Sequence, residues 1–141
     1  MCRIEPQLKV MASSGETNLA VILKNISPVL NKGQYVFCTA SEVPAGTESI
    51  GSFREKEGWS FILEKSHADR HRFSYSSVMS WITLDIHTSI DGVGFTAAFS
   101  KALGDNNISC NVVAAFYHDH IFVPEKDAEK AIRVLKNLSG Q

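Results

Sequence analysis

The apolar residues of the first half change their spacing along the chain. A short apolar run at residues 8–12 predicts a strand, and from residue 19 to 30 apolar residues recur every three or four positions, which predicts an amphipathic helix. Residues 13–17 offer N-cap chemistry for this helix, and Pro28 is expected to bend or end it in its last turn. The remaining predicted elements are buried strands at 35–39 (YVFCT) and 59–63, a short edge strand at 52–54, a long connection at 42–58 and helical turns at 66–72.

The second half shows the two spacings more clearly. Residues 81–87 alternate between apolar and polar side chains, which predicts a strand with Ile82, Leu84 and Ile86 on one face. A helix is expected at 92–103, and its core-facing stripe contains Phe95, Phe99, Ala102 and Leu103. Further predictions are a strand at 108–117, a tight turn at His118-Asp119, a return strand at 121–123 and a last helix from Pro124 that turns Ala128, Ile132, Leu135 and Leu138 inward.

The order of these elements predicts the fold class. The second half gives strand, helix, strand, strand, helix, and the first half repeats this order with a longer loop and a shorter second helix. Helices that connect strands, with a hairpin between them, are typical of the ferredoxin-like α+β class. We therefore expect two βαββαβ units packed side by side, one at residues 1–74 and the other at 75–141.

Composition narrows the classes of protein. The chain has 141 residues, 44% of them hydrophobic, and 14 Lys and Arg against 15 Asp and Glu, so it lacks the basic excess that binds nucleic acid or anionic membranes. No apolar run approaches the length of a membrane span, and the first ten residues show no signal peptide. Three cysteines without a CxxC pair favour free thiols in a reducing cytoplasm.

Several polar side chains could carry chemistry, but each has a simpler interpretation. His118 and His120 could share a metal if they lay on one strand, although no third ligand follows at a useful spacing. Cys110 could pair with His118 or His87 as nucleophile and base, yet free cysteines are more often small core residues. Asp85 with His87, and the charged run at 67–72, are typical of exposed surface. No phosphate-binding loop or hydrolase motif occurs, so we predict no catalytic residue, metal or cofactor.

The junction between the strand at 81–87 and the following helix is the strongest candidate site. It contains Ser89, Ile90, Asp91, Gly92, Val93 and Gly94. Two glycines in the first turn of a helix cost roughly 1 kcal/mol each relative to alanine, so they favour the close approach of a backbone or a ligand. Helix N–H groups suit a carboxylate and Asp91 suits an ammonium group, as a free amino acid would require. A tight turn with glycines for packing is the alternative.

Two stretches of the chain resemble a known family. Residues 15–39 (GETNLAVILKNISPVLNKGQYVFCT) and 82–124, with SCNVVAAFYHDHIFVP as the most specific part, are similar to small bacterial proteins with tandem ACT domains. The layout also resembles the ACT pairs of CASTOR-type arginine sensors. The resemblance implies a small ligand between the units, against Ser89–Gly94 and a facing strand that offers Asn111 and Val112, with Cys38 and Thr39 from the other unit. Because an ACT unit has four strands, it also implies a swapped or shared strand.

The resemblance implies a non-enzymatic regulatory protein or sensor that binds a free amino acid, and a homodimer is an open possibility. An alternative is a protein-interaction or oligomerisation module without a ligand, with the YVFCT strand along an exposed edge. A small metal- or thiol-dependent enzyme that uses His118, His120 or Cys110 is the third interpretation.

Overall fold

A computed structural model gives the structure of residues 15–140, so the strand predicted at 8–12 lies outside the described residues. The strands within this range are β1 (Pro28–Leu30), β2 (Tyr35–Ala40), β3 (Gly51–Glu55), β4 (Gly58–Glu64), β5 (Met79–Leu84), β6 (Asn111–Ala114) and β7 (Asp119–Pro124). The helices are α1 (Leu19–Lys24), α2 (Lys65–Arg70), α3 (Phe95–Asp105) and α4 (Ala128–Asn137), and a 3-10 turn (Glu125–Asp127) precedes α4.

The strands form one antiparallel sheet in the order β3-β4-β2-β5-β7-β6, with β1 also paired to β5. The two halves pair their strands in the same way. Within β2–β4 and within β5–β7, the first strand pairs with the third, and the third also pairs with the second. The resulting orders are β2-β4-β3 and β5-β7-β6. A loop occupies residues 41–50, where the second half has α3. The α+β, ferredoxin-like prediction is confirmed, and the first repeat has a loop in place of one helix.

The helix α1 and the strand β1 pack with the second half of the chain. Ile22 and Ile26 belong to the same core as Phe99 and Leu103 of α3, and β1 pairs with β5. β1 is therefore the shared strand that the four-strand unit requires. The largest core therefore takes residues from both halves of the chain, and the boundary between residues 74 and 75 stays a prediction.

Three apolar clusters hold the sheet and helices together. The largest lies between the second-half sheet and α1, α3 and α4, with the fully buried Phe99, Ile121 and Leu135 among its members. A smaller one lies around β2, β4 and α2 and includes Phe61 and Leu63. The third covers the other face of the sheet and contains the buried Tyr35, Ile62 and Phe122, with Met79 and Trp81 packed against them.

The sheet is strongly bent between its halves. β2 and β5 share one residue pair, Tyr35 and Met79. β3 and β6 stand at opposite ends of the strand order, yet Phe53 of β3 and Val113 of β6 line one cavity of about 420 Å³. A flat sheet would separate these strands by five spacings of about 4.8 Å.

One predicted element of the first half is wrong in extent. The helix predicted to reach residue 30 ends at Lys24, where the Asn25 side chain donates to the Val21 carbonyl oxygen, and Pro28 begins β1 instead of closing the helix. Proline is tolerated at the first residue of a strand. The YVFCT strand lies inside the strand order, where β2 pairs along its length with β4 on one side. On its other side only Tyr35 pairs, with Met79 of β5, so no other strand of the described chain pairs with residues 36–40 there.

Boundaries in the second half also differ from those predicted. β5 ends at Leu84, so Asp85 and His87 do not share a strand. β6 covers four residues, and the turn lies at 115–118, closed by the Ala115 N–H donating to the His118 carbonyl oxygen at 3.1 Å, so His118-Asp119 is not the turn. The helix α3 begins at Phe95, after both glycines, and α4 begins at Ala128.

Candidate functional site

A cavity of about 180 Å³ lies at the N-terminus of α3 and is the candidate site. Four parts of the second half surround it: the loop after β5, the first turn of α3, the end of β6 and the start of β7. Ile22 of α1 completes the wall. The lining residues are Ile22, Thr88, Ser89, Ile90, Gly92, Phe95, Thr96, Ala114, Ala115 and Asp119. The cavity therefore lies between an N-terminal helix and the second repeat.

The loop wall is held by the chain that precedes α1. The Glu16 N–H donates to the His87 carbonyl oxygen at 3.0 Å, and the Ser89 N–H donates to the Glu16 carbonyl oxygen at 3.1 Å. Gly15 makes this approach possible, since a Cβ there would lie 2.4 Å from the Thr88 carbonyl carbon. The cavity wall thus depends on a glycine far away in sequence.

The N-terminus of α3 has no side-chain cap. Gly94 occupies the N-cap position at φ +96°, a left-handed conformation that glycine adopts without strain. The first N–H groups of a helix lack partners within the helix and carry partial positive charge. The start of this eleven-residue helix, with Phe95 and Thr96, faces the cavity.

Asp119 is the acidic side chain of the cavity. It is the first residue of β7, opposite Leu84 and Ala114, and only 7% of its surface is exposed. Burial raises the pKa of its carboxyl group, while a hydrogen bond from the Thr88 side chain and the nearby His118 act in the opposite direction. A buried carboxylate of this kind favours a cationic partner.

The structure brings three of the ten predicted site residues to this cavity: Ser89, Ile90 and Gly92. Of the same loop, Asp91 and Val93 are exposed outside the lining, and Gly94 caps α3. The other four predicted residues lie elsewhere: the Asn111 side chain donates to the Phe122 carbonyl oxygen, Val112 lines the cavity at β3, and Cys38 and Thr39 line an open hollow beside Tyr75.

Asp119 is the residue that the sequence pattern missed. The sequence analysis assigned Asp119 to a turn and so overlooked that Asp119, Ile121 and Val123 alternate along one strand. These three residues share the face covered by helices. That alternation was the one signal able to find it. Thr88, Phe95, Thr96 and Ala115 were also missed as lining residues, because their convergence depends on how the loop folds back over β6.

The histidines and Cys110 have ordinary structural environments. The Trp81 Nε1–H donates to His120 Nδ1 at 3.0 Å, and burial lowers the pKa of His120. His118 Nε2 lies 3.4 Å from an Asp85 carboxylate oxygen. Burial raises the pKa of Cys110 to about 11, which disfavours the thiolate that a nucleophile needs. Within residues 15–140 no group of three side chains could hold a metal ion.

A second, polar cavity of about 410 Å³ lies between α2 and the 41–50 loop. Its buried His67 already accepts a hydrogen bond through Nε2 from the Glu48 N–H at 3.3 Å. The remaining charged groups, Glu48, Glu64, Arg70 and His71, are exposed to solvent. We therefore place the candidate site at α3.

Comparison with known proteins agrees with this architecture. Two ACT-domain family models match, one at residues 14–80 and one at 76–137. No curated protein sequence matches significantly. None of the helices of the described chain is long and apolar enough to cross a membrane.

Solved structures show the same fold. A Vibrio cholerae protein of unknown function, described as a possible transport protein, is 40% identical with a TM-score of 0.79, over 86% of this chain and 95% of that one. An Agobacterium tumefaciens protein is 22% identical (TM-score 0.67, 82% and 90% covered). The ligand-free regulatory subunit of aspartate kinase from Thermus thermophilus is 9% identical (TM-score 0.61, 81% and 97% covered).

The two family models together span the described repeats, and the fold of both halves agrees with them. ACT domains are regulatory modules that typically bind amino acids. The chain belongs to the ACT-domain family and carries two ACT domains in tandem.

Proposed function

We propose that this protein is a non-enzymatic sensor that binds a small free amino acid in the cavity at the N-terminus of α3. The observation that carries the proposal is the pairing of the buried Asp119 carboxylate with an uncapped helix N-terminus in one cavity. These two features present opposite charges to a ligand, and a free amino acid is a zwitterion that carries both.

Each end of an amino acid has a partner in this arrangement. The N–H groups at the start of α3 suit the carboxylate, because the helix dipole favours negative charge there. Asp119 suits the ammonium group, and a bound cation would offset the cost of keeping the carboxylate buried. Ser89, Ile90 and Gly92 stay in the proposed site. Asp119 replaces Asp91 as the ammonium partner, because the Asp91 side chain is exposed outside the cavity.

The cavity favours a small ligand side chain. Its volume of about 180 Å³ is close to the ~150 Å³ cavity that accommodates benzene. An arginine specificity of the CASTOR type would need a second acidic group for the guanidinium, and Asp119 is the one carboxylate that lines this cavity among the described residues. We therefore propose that the ligand is a free amino acid with an uncharged side chain.

Three observations support the proposed role, the absence of thiol catalysis and the proposed location, in that order. The fold is shared with the regulatory subunit of aspartate kinase. The high pKa of the Cys110 thiol disfavours the thiol-enzyme alternative. Cys38 and Cys110 are free thiols, which agrees with the proposed cytoplasmic setting.

A thermal-shift panel of the twenty amino acids tests the proposal, with wild type, Asp119→Asn and Asp91→Asn as a matched control. A ligand at about 100 times its Kd stabilises the fold by about 2.7 kcal/mol, which raises Tm by several degrees at this chain length. We expect one or a few uncharged amino acids to shift the wild type and Asp91→Asn, and none to shift Asp119→Asn. A flat panel with wild type, or an undiminished shift with Asp119→Asn, would contradict the proposed site.

A further inference from the structure

The two segments that border the α3 cavity carry exposed apolar side chains. Ile90 and Val93, in the loop before α3, are 71% and 85% exposed, and Phe116 and Tyr117, in the turn between β6 and β7, are 50% and 53% exposed. We call these four residues the rim patch. Exposed apolar patches of this kind often mark sites of interaction.

The two parts of the rim patch lie on either side of one opening. Ile90 lines the cavity from the loop, and Ala115, next to Phe116, lines it from the turn. The rings of Phe116 and Tyr117 are in edge contact at 4.8 Å, and Tyr117 also contacts the His87 ring at 5.3 Å. The loop and the turn that carry the patch therefore both border the cavity.

The segments that carry and flank the rim patch hold acidic side chains and no Lys or Arg. The neighbouring segments 15–18, 85–94 and 114–120 contain no Lys or Arg. Glu16, Asp85 and Asp91 are exposed in them. An apolar surface with acidic neighbours is complementary to an apolar segment flanked by basic side chains.

We propose that the rim patch docks a partner protein segment in which apolar side chains are flanked by Lys or Arg. A second copy of this chain fits poorly, because a two-fold contact through the patch would bring Glu16, Asp85 and Asp91 against the same residues of the partner. The docking does not require amino-acid binding, although a docked segment would cover the cavity mouth.

Binding of labelled peptides to the full chain tests this assignment by fluorescence anisotropy. The probe is a short synthetic peptide of leucines and lysines, and its control has glutamates in place of the lysines. We expect the basic peptide alone to bind, with an affinity that falls as salt rises, because exposed charges are screened. The double variant Val93→Ser/Phe116→Ser is expected to weaken binding about tenfold or more, as loss of central apolar contacts does. The reversal Asp91→Lys is expected to weaken it as well.

Phe53→Ser is the matched control, because Phe53 is 74% exposed on β3 and does not line the cavity at α3. It should leave peptide affinity unchanged. Equal binding of the acidic peptide, no binding of the basic one, or the same loss in Phe53→Ser would overturn the proposal. Sedimentation is the second readout, and self-association of wild type that Val93→Ser/Phe116→Ser abolishes would identify a second copy as the occupant and also overturn it. A flat amino-acid panel would count against the proposed ligand and leave this result unaffected.

Discussion

Substitution of Gly15 by alanine tests how the cavity wall is held. An added Cβ would lie 2.4 Å from the Thr88 carbonyl carbon and 2.6 Å from the Ser89 nitrogen, both of which are backbone atoms. No side chain can move aside to relieve these contacts. The chain before α1 must therefore shift away from the loop after β5.

The size of the effect follows from the hydrogen bonds at this contact. The shift breaks the bond from the Glu16 N–H to His87 and the bond from the Ser89 N–H to Glu16. Each such bond contributes about 0.5–1.5 kcal/mol, so Gly15→Ala should lower the free energy of unfolding by about 1–3 kcal/mol. For a chain of this length the Tm should fall by about 3–10 °C.

Differential scanning calorimetry measures this change, and Gly104→Ala is its matched control. Gly104 lies in α3, and a Cβ there would meet no atom within 4 Å. Because alanine favours the helix, that variant should gain about 0.5–1 kcal/mol. If Gly15→Ala melted at or above the wild-type temperature while Gly104→Ala behaved as expected, the contact at Gly15 would not hold the loop after β5.

Three further predictions concern the core, Asp119 and Cys110. Phe99→Ala should cost about 3–5 kcal/mol in denaturant unfolding because Phe99 is fully buried, whereas Phe53→Ala should change stability by less than about 0.5 kcal/mol. Burial raises the folded pKa of Asp119, so its contribution to stability is fully present below its unfolded pKa of about 3.9 and is lost as pH rises through the folded pKa. Asp119→Asn should therefore gain stability relative to wild type as the pH rises above about 4, and parallel curves of unfolding free energy against pH would contradict this. With a pKa of about 11, Cys110 should react with iodoacetamide at about pH 8 roughly 100-fold more slowly in the folded chain than in urea, as measured by peptide mass mapping.

Local spacing predicted the elements well but not where α1 gives way to β1. Ile26, Val29 and Leu30 continue the helical spacing of α1, although only Ile26 reaches the core. The short strand β1 forms because the edge of β5 is available to pair with it, which is a long-range contact. Period alone cannot distinguish three such residues from a last helical turn.

Only part of the candidate site could be predicted, because the rest also depends on long-range contacts. The loop residues Ser89, Ile90 and Gly92 could be found because glycines mark a strand-to-helix junction in the sequence. Asp119 could not be found locally, since its burial depends on the turn at 115–118 and on Thr88. Likewise, the repeated order of elements in the two halves suggested that α1 corresponds to α3, whereas the topology places the 41–50 loop at that position.

The most direct test of the central claim is the amide chemical-shift map of the labelled full chain on addition of an equimolar mixture of the twenty amino acids. Binding at the N-terminus of α3 should shift the amide signals of residues 88–96 and 114–119 in wild type and leave the same signals unmoved in Asp119→Asn. No shifts in wild type, or shifts centred on residues 46–71 around the α2 cavity, would contradict an amino-acid site at the N-terminus of α3.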